Sequence, residues 1–125
     1  MSLRPGFSII IPTFNRAFCI CEAVDSVLMQ NYPDFELIVI DDGSSDGTDM
    51  LLKERYGAEM ACGRLKYLQS GHEGVSAARN KGLRAATREW AGYLDTDNRM
   101  CADYFAVFEN AVRTGGAKCY YAQIK

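Results

Sequence analysis

Short apolar runs that stop abruptly in polar clusters, separated by stretches with helical spacing, are the feature that most limits the folds open to this chain. Residues 7–11 (FSIII) stop at Pro12, and residues 35–40 (FELIVI) run straight into Asp41 and Asp42. Runs this rich in β-branched residues read as strands buried on both faces. Residues 65–69 and 90–94 read as a third and a fourth strand, ending in Ser70-Gly71 and in Asp95. Between the first two, Ile20, Val24, Val27 and Leu28 fall at i, i+4, i+7 and i+8, one stripe of a helix that ends before Pro33. Asp46-Gly47-Thr48 can cap a second helix running to about Tyr56, and Val75, Ala78, Gly82 and Ala86 mark a small-residue helical face. A helix over residues 102–114, with Phe105, Val107, Phe108 and Val112 mostly inward, is stopped by Gly115-Gly116, and residues 119–122 would open a fifth strand.

Strand, helix, strand in alternation implies an α/β domain with a mostly parallel sheet, helices on its faces and right-handed crossovers. At 125 residues and 48% hydrophobic content the chain reads as one domain over its whole length, with a core that needs no disulfide staple. No apolar run approaches the ~20 residues of a membrane span, and the N-terminus lacks the charged, apolar and small-residue succession of a signal peptide. The five cysteines include no CxxC pair and His72 is the one imidazole, so zinc and disulfide frameworks are poorly supported and reduced thiols in a cytoplasmic protein are expected. Residues 1–62 hold 4 basic and 10 acidic side chains and residues 63–125 hold 10 and 6, a balance that gives no nucleic-acid footprint.

In parallel sheets ligands sit beyond the carboxyl ends of the strands, and those ends carry Pro12-Thr13-Phe14-Asn15, Asp41-Asp42-Gly43-Ser44-Ser45-Asp46, Ser70-Gly71-His72-Glu73-Gly74 and Asp95-Thr96-Asp97-Asn98. Four carboxylates, Asp41, Asp42, Asp95 and Asp97, are thereby expected at one edge, where crowding without a cation would be costly. A hard divalent ion that takes one or two carboxylates, waters and phosphate oxygens is the natural remedy. Asp95 and Asp97, two apart, can face the same side, one holding metal while the other orients a ligand.

Taken in order, these segments, together with Gly74 and the Ala77-Ala78-Arg79-Asn80-Lys81-Gly82 that follows it, resemble the N-terminal part of a family 2 glycosyltransferase with the Rossmann-like GT-A nucleotide-diphospho-sugar transferase fold. The resemblance covers residues 7 to about 108. It implies that Pro12, Thr13, Phe14 and Asn15 meet the nucleoside through backbone contacts, that Asp41 hydrogen-bonds the pyrimidine and that Asp42 supports that pocket. It further implies Arg79 near the base, Asp95 near the ribose or donor sugar, and Asp97 as the ligand of Mn²⁺ or Mg²⁺ bridging to the diphosphate. The implied reaction inverts the anomeric carbon of a UDP-sugar as an acceptor hydroxyl of a carbohydrate or glycolipid attacks it. Asp103 and Glu109 fall in the last expected helix, so the catalytic base is expected beyond these residues. Asn98 stands where many relatives carry a third aspartate. The setting implied is the cytoplasm or the cytoplasmic membrane face, and the exposed edge of an incomplete sheet would invite self-association.

Two readings compete. A phospho-acceptor receiver domain has similar length and an acidic metal pocket, but it needs its acidic pair after strand one and an acceptor aspartate after strand three, where this chain has Pro12-Thr13 and Ser70-Gly71. A non-catalytic nucleotide-sugar-binding module would keep the same sites. Dinucleotide and P-loop sites require glycine fingerprints that do not occur. Lys81, Arg84 and Arg88 are expected on a solvated helix surface, His72 in a loop, and the rings of Phe14, Trp90 and Tyr93 in the core.

Overall fold

The computed structural model describes residues 4–116; the expected strand over residues 119–122 lies outside them. Strand β1 (Phe7–Thr13) is followed by α1 (Ile20–Leu28), β2 (Phe35–Asp41), α2 (Thr48–Arg55), α3 (Gly57–Ala61), β3 (Leu65–Gln69), α4 (Val75–Ala85), β4 (Trp90–Tyr93) and α5 (Tyr104–Thr114). The strands form one parallel sheet in the order β3-β2-β1-β4. Every expected element within these residues is present. The second helix ends at Arg55, close to the expected end, and a short α3 that was not expected follows it. No helix among the described residues is long and apolar enough to cross a membrane.

Alternation along the strands splits the core in two. Ile9, Ile11, Leu37 and Val39 pack with α1, Leu52 and Phe105 on one face, while Ile10, Ile38 and Ile40 pack with Ala78 of α4 on the other. Helix α4 sits so close that a Cβ on Gly82 would lie 2.6 Å from Ile10 Cγ2, which is why a residue without a side chain stands there. On this α4 face, at the amino end of the sheet, Glu36 is 1% exposed. Its carboxylate accepts hydrogen bonds from the Ser8 hydroxyl and from the Thr87 amide and hydroxyl, and pairs with Lys66 at 2.8 Å. Burial alone would raise this carboxyl, but those partners outweigh it and hold it at about 2.

Strand β1 runs two residues beyond the expected stop at Ile11, through Pro12 to Thr13. In a parallel strand the residues that bond one neighbour alternate with those that bond the other. The Ile10 carbonyl accepts from Leu94 on the β4 side, and the Thr13 carbonyl accepts from Asp42 on the β2 side. Pro12 therefore turns its nitrogen toward β4, whose pairing ends at Ile10 and Tyr93. The missing N–H costs no ladder bond there, and β1 and β4 are free to part.

Candidate functional site

The loops after β1 and β2 are clasped by reciprocal hydrogen bonds. The Asn15 amide donates to Ser44 Oγ and the Ser45 amide donates to Asn15 Oδ1, both at 2.8 Å. Asp46 accepts from the Ala17 amide at 2.9 Å and from the Thr48 amide at 3.2 Å, so one carboxylate ties the β1 loop to the first turn of α2. The Thr48 bonds and the Ala17 amide hold Asp46 below the ordinary carboxylate range against the opposing effect of burial. Asn15 adopts φ +52, a left-handed conformation that asparagine tolerates better than most residues.

Asp41 and Asp42 face opposite sides of the sheet. Asp41 follows Leu37 and Val39 toward α1 and α2, where its oxygens accept from the Ser44 amide at 2.9 Å and the Tyr67 hydroxyl at 2.5 Å. Burial, and then the bond to Asp41, push the Tyr67 phenol up, so it remains a proton donor there. Asp42 turns toward α4 and lines the cleft. Its oxygens accept from the Ser70 hydroxyl at 2.8 Å and from the amides of Glu73 and Gly74 at 2.9 Å. Burial would raise Asp42, but these three donors outweigh it and lower it. The order expected from the sequence, Asp41 facing the ligand and Asp42 behind it, is the reverse of this placement: Asp42 lines the cleft and Asp41 does not.

The cleft, about 340 Å³, is lined by Pro12, Thr13, Phe14, Arg16, Asp42, Val75, Ala78, Asp95, Thr96 and Asp97. It lies where β1 and β4 part. That is the position at which the strand order reverses, the place where ligands sit in open α/β sheets. Asp95 meets Arg79 at 3.3 Å, both half-exposed, and the Arg79 guanidinium lies 5.8 Å from the Tyr93 ring centroid. Asn15 and Arg79 flank the cleft without lining it, and Asp41 lies beneath. Phe14 and Tyr93 are not core residues as expected: their relative exposures are 39% and 47%, and the Phe14 ring stacks on His72 with centroids 4.4 Å apart. Trp90 does pack against the core.

The carboxylates do not form a cation cage. Among the described residues no three His, Cys, Asp or Glu side chains come together to hold a metal. Crowding is relieved instead by the opposite facing of Asp41 and Asp42 and by neutral donors on each. Asp97 differs from them: it is exposed on the cleft wall, and no hydrogen bond or ion pair among the described residues takes up its carboxylate. One free carboxylate beside a cleft fits a hard cation that keeps several waters and takes phosphate oxygens from its ligand. Arg16, Thr96, Tyr67 and the Phe14–His72 contact were not among the expected site features. Arg16 was legible as the cation directly after Pro12-Thr13-Phe14-Asn15, whereas the others depend on packing.

Comparison with known proteins agrees with this fold. Residues 8–125 match Glycosyl transferase family 2. A GalNAc(5)-diNAcBac-PP-undecaprenol beta-1,3-glucosyltransferase of Campylobacter jejuni is 30% identical over 93% of this chain. Among solved structures, a mannosyltransferase of Pyrobaculum calidifontis in complex with GDP-Man and Mn²⁺ superposes with a TM-score of 0.75 and 31% identity, over 90% of this chain and 32% of that one. TarS of S. aureus in complex with UDP-GlcNAc gives 0.72 and 29%, over 86% and 30%. The chain spans 13% to 39% of the length of curated relatives such as these. The receiver-domain alternative is not favoured: its acceptor position after β3 is Ser70-Gly71, and the sheet order here is the Rossmann one. With the family match over almost the whole chain and GT-A neighbours of the same architecture, the chain belongs to glycosyl transferase family 2.

Proposed function

We propose that this chain is the donor-binding part of an inverting glycosyltransferase, holding a UDP-sugar in the cleft at the carboxyl ends of β1, β2 and β4 for transfer of a hexose to a carbohydrate or glycolipid acceptor. The observation that carries this reading is that Pro12, Thr13, Phe14, Asp42, Asp95 and Asp97, far apart in sequence, line one cleft at the point where the strand order reverses. The solved relatives holding UDP-GlcNAc and GDP-Man support a nucleotide-sugar occupant. The name of the Campylobacter jejuni relative, which acts on a PP-undecaprenol-linked glycan, supports a lipid-linked glycan as acceptor.

In this assignment the 12–15 segment walls the nucleoside. Asp42 has accepted three hydrogen bonds and keeps a lone pair for the imide N–H of a pyrimidine. Asp41 holds the wall from behind, an exchange of the two roles that the family resemblance implied. Asp95, oriented by Arg79, meets the ribose or donor sugar, and Arg16 supplies positive charge beside the diphosphate. Asp97 is the residue that would hold Mn²⁺ or Mg²⁺, which when bound supplies neutralising charge for the departing diphosphate. The base that takes the acceptor proton and the rest of the acceptor site are assigned to residues outside this cleft.

Calorimetric titration of the chain with UDP, GDP and ATP, with and without Mn²⁺, tests the reading. Metal-dependent UDP binding is expected, weakened on the order of tenfold or more by Asp97→Ala, the scale of a lost charged contact. Equal binding in the presence of chelator would remove the metal from the assignment, and no binding of any nucleotide would remove the assignment itself.

A further inference from the structure

His72 is a residue whose backbone is held in an unfavourable conformation with no return from its own burial. It adopts φ +57, and its side chain is 67% exposed. A left-handed conformation is unfavourable for a non-glycine residue, and this one sits in the sequence Ser70-Gly71-His72-Glu73-Gly74, where glycine stands on one side and again two residues on. The loop is rigid all the same. Asp42 grips the amides of Glu73 and Gly74 and the Ser70 hydroxyl, and the His72 backbone packs over Gly43, where an added Cβ would come within 3.5 Å of the His72 nitrogen.

What the strained residue does with its ring is specific. The imidazole stacks on Phe14 at 4.4 Å with the planes 30° apart, and its Nδ1 lies 3.8 Å from Asp42 Oδ2. Phe14 is the aromatic side chain of the cleft, it belongs to neither core cluster, and its backbone is fixed by the Asn15 clasp while its ring is half-exposed. The His72 imidazole is the ring stacked on Phe14, and its removal would take that contact away.

Resting on the donor-binding reading above, we propose that His72 is a positioning residue of the donor pocket: its imidazole backs Phe14 and fixes that ring as the wall against which the nucleobase lies. The loop gripped by Asp42 and the wall on β1 are then one unit, so that base recognition by Asp42 and shape recognition by Phe14 are set together.

The test separates stability from affinity. His72→Gly relieves the backbone strain and removes the ring, while His72→Phe keeps the strain and restores a stack. Urea unfolding and calorimetric UDP titration of the full chain are expected to move in opposite directions for His72→Gly. Its unfolding midpoint should be unchanged or higher, and its affinity lower by about three- to tenfold, the range of an aromatic pair. His72→Phe should recover most of that affinity without recovering stability, and His72→Gly should add little in a Phe14→Ala background. Affinity unchanged in His72→Gly, or lost equally in His72→Phe, overturns the inference while leaving the donor site standing. If the unsubstituted chain binds no nucleotide, both fall together.

Discussion

Glu36 offers the clearest quantitative test of the fold, because it is a buried carboxylate whose partners all come from other elements. Ser8 on β1, Lys66 on β3 and Thr87 between α4 and β4 converge on it, fastening the end of the sheet opposite the cleft. A carboxyl whose pKa falls from the ordinary 4.5 to about 2 on folding contributes about 3 kcal/mol at neutral pH. The folded value is the depressed one, so this contribution is fully present above pH 4.5 and is lost progressively as pH falls through the window from 4.5 to about 2. Glu36→Gln keeps the shape and the acceptor for Ser8 and Thr87 but loses the charge opposite Lys66, which is exposed enough to turn to water. The expected cost is about 2–3 kcal/mol, a fall in Tm of roughly 10 °C for a domain of this size. Lys66→Met should cost at least as much, since it leaves a buried charge without its cation. Urea unfolding followed by circular dichroism from pH 7 to pH 2 reads both effects. A Glu36→Gln protein as stable as the parent at pH 7, or one whose stability declines in acid as steeply as the parent's, would refute the reasoning.

Gly82→Ala should force α4 off the sheet, because its Cβ would lie 2.6 Å from Ile10 Cγ2 and 3.2 Å from Ile40 Cγ1; a loss of about 1–3 kcal/mol in chemical denaturation is expected, and an unchanged midpoint would contradict the close seating. Tyr67→Phe removes a donor from buried Asp41 and should destabilise by about 1–3 kcal/mol, with a loss of UDP affinity if Asp41 holds the cleft wall from behind. Asp46→Ala should cost on the order of 1 kcal/mol through loss of its bonds to the Ala17 and Thr48 amides. Because Asp46 is lowered in the folded state, its contribution exists at neutral pH and fades below the ordinary carboxylate range, so the gap between parent and variant should close in acid.

Much of this architecture was legible because β1 and β2 are short and mostly apolar while the helices carry stripes of a different period. What the sequence could not show was facing and reach. The period-two rule was available for Asp41 and Asp42 as it was for Asp95 and Asp97, but a carboxylate at a strand end could turn with either the strand or the loop. Only the Tyr67 donor on β3 and the Ser44 donor in the loop after β2 decide it. Pro12 looked like the end of β1, since a proline inside a parallel ladder normally forfeits a bond. It is accommodated because β4 is shorter than β1, with which it pairs, a fact held in the length of another segment. The Phe14 ring was expected in the core on average behaviour for aromatics, and the stack on His72 requires a left-handed residue that no local pattern announced.

The placement of the carboxylates also changes what a cation is needed for. Read along the chain, four aspartates gathered at one rim would demand a metal merely to coexist. Folded, Asp41 and Asp42 are separated by the sheet and satisfied by five protein donors between them, and Asp95 has Arg79. The fold therefore has no electrostatic debt for a metal to settle, and a cation at Asp97 would be recruited by the ligand's phosphates rather than by the apo domain. That distinction has a thermodynamic signature: Mn²⁺ alone should leave the unfolding free energy where it is, and Mn²⁺ with UDP should raise it, by about 2.7 kcal/mol when the ligand stands at a hundred times its dissociation constant. Strong stabilisation by Mn²⁺ alone would show that the carboxylates do form a cage, against the geometry described above.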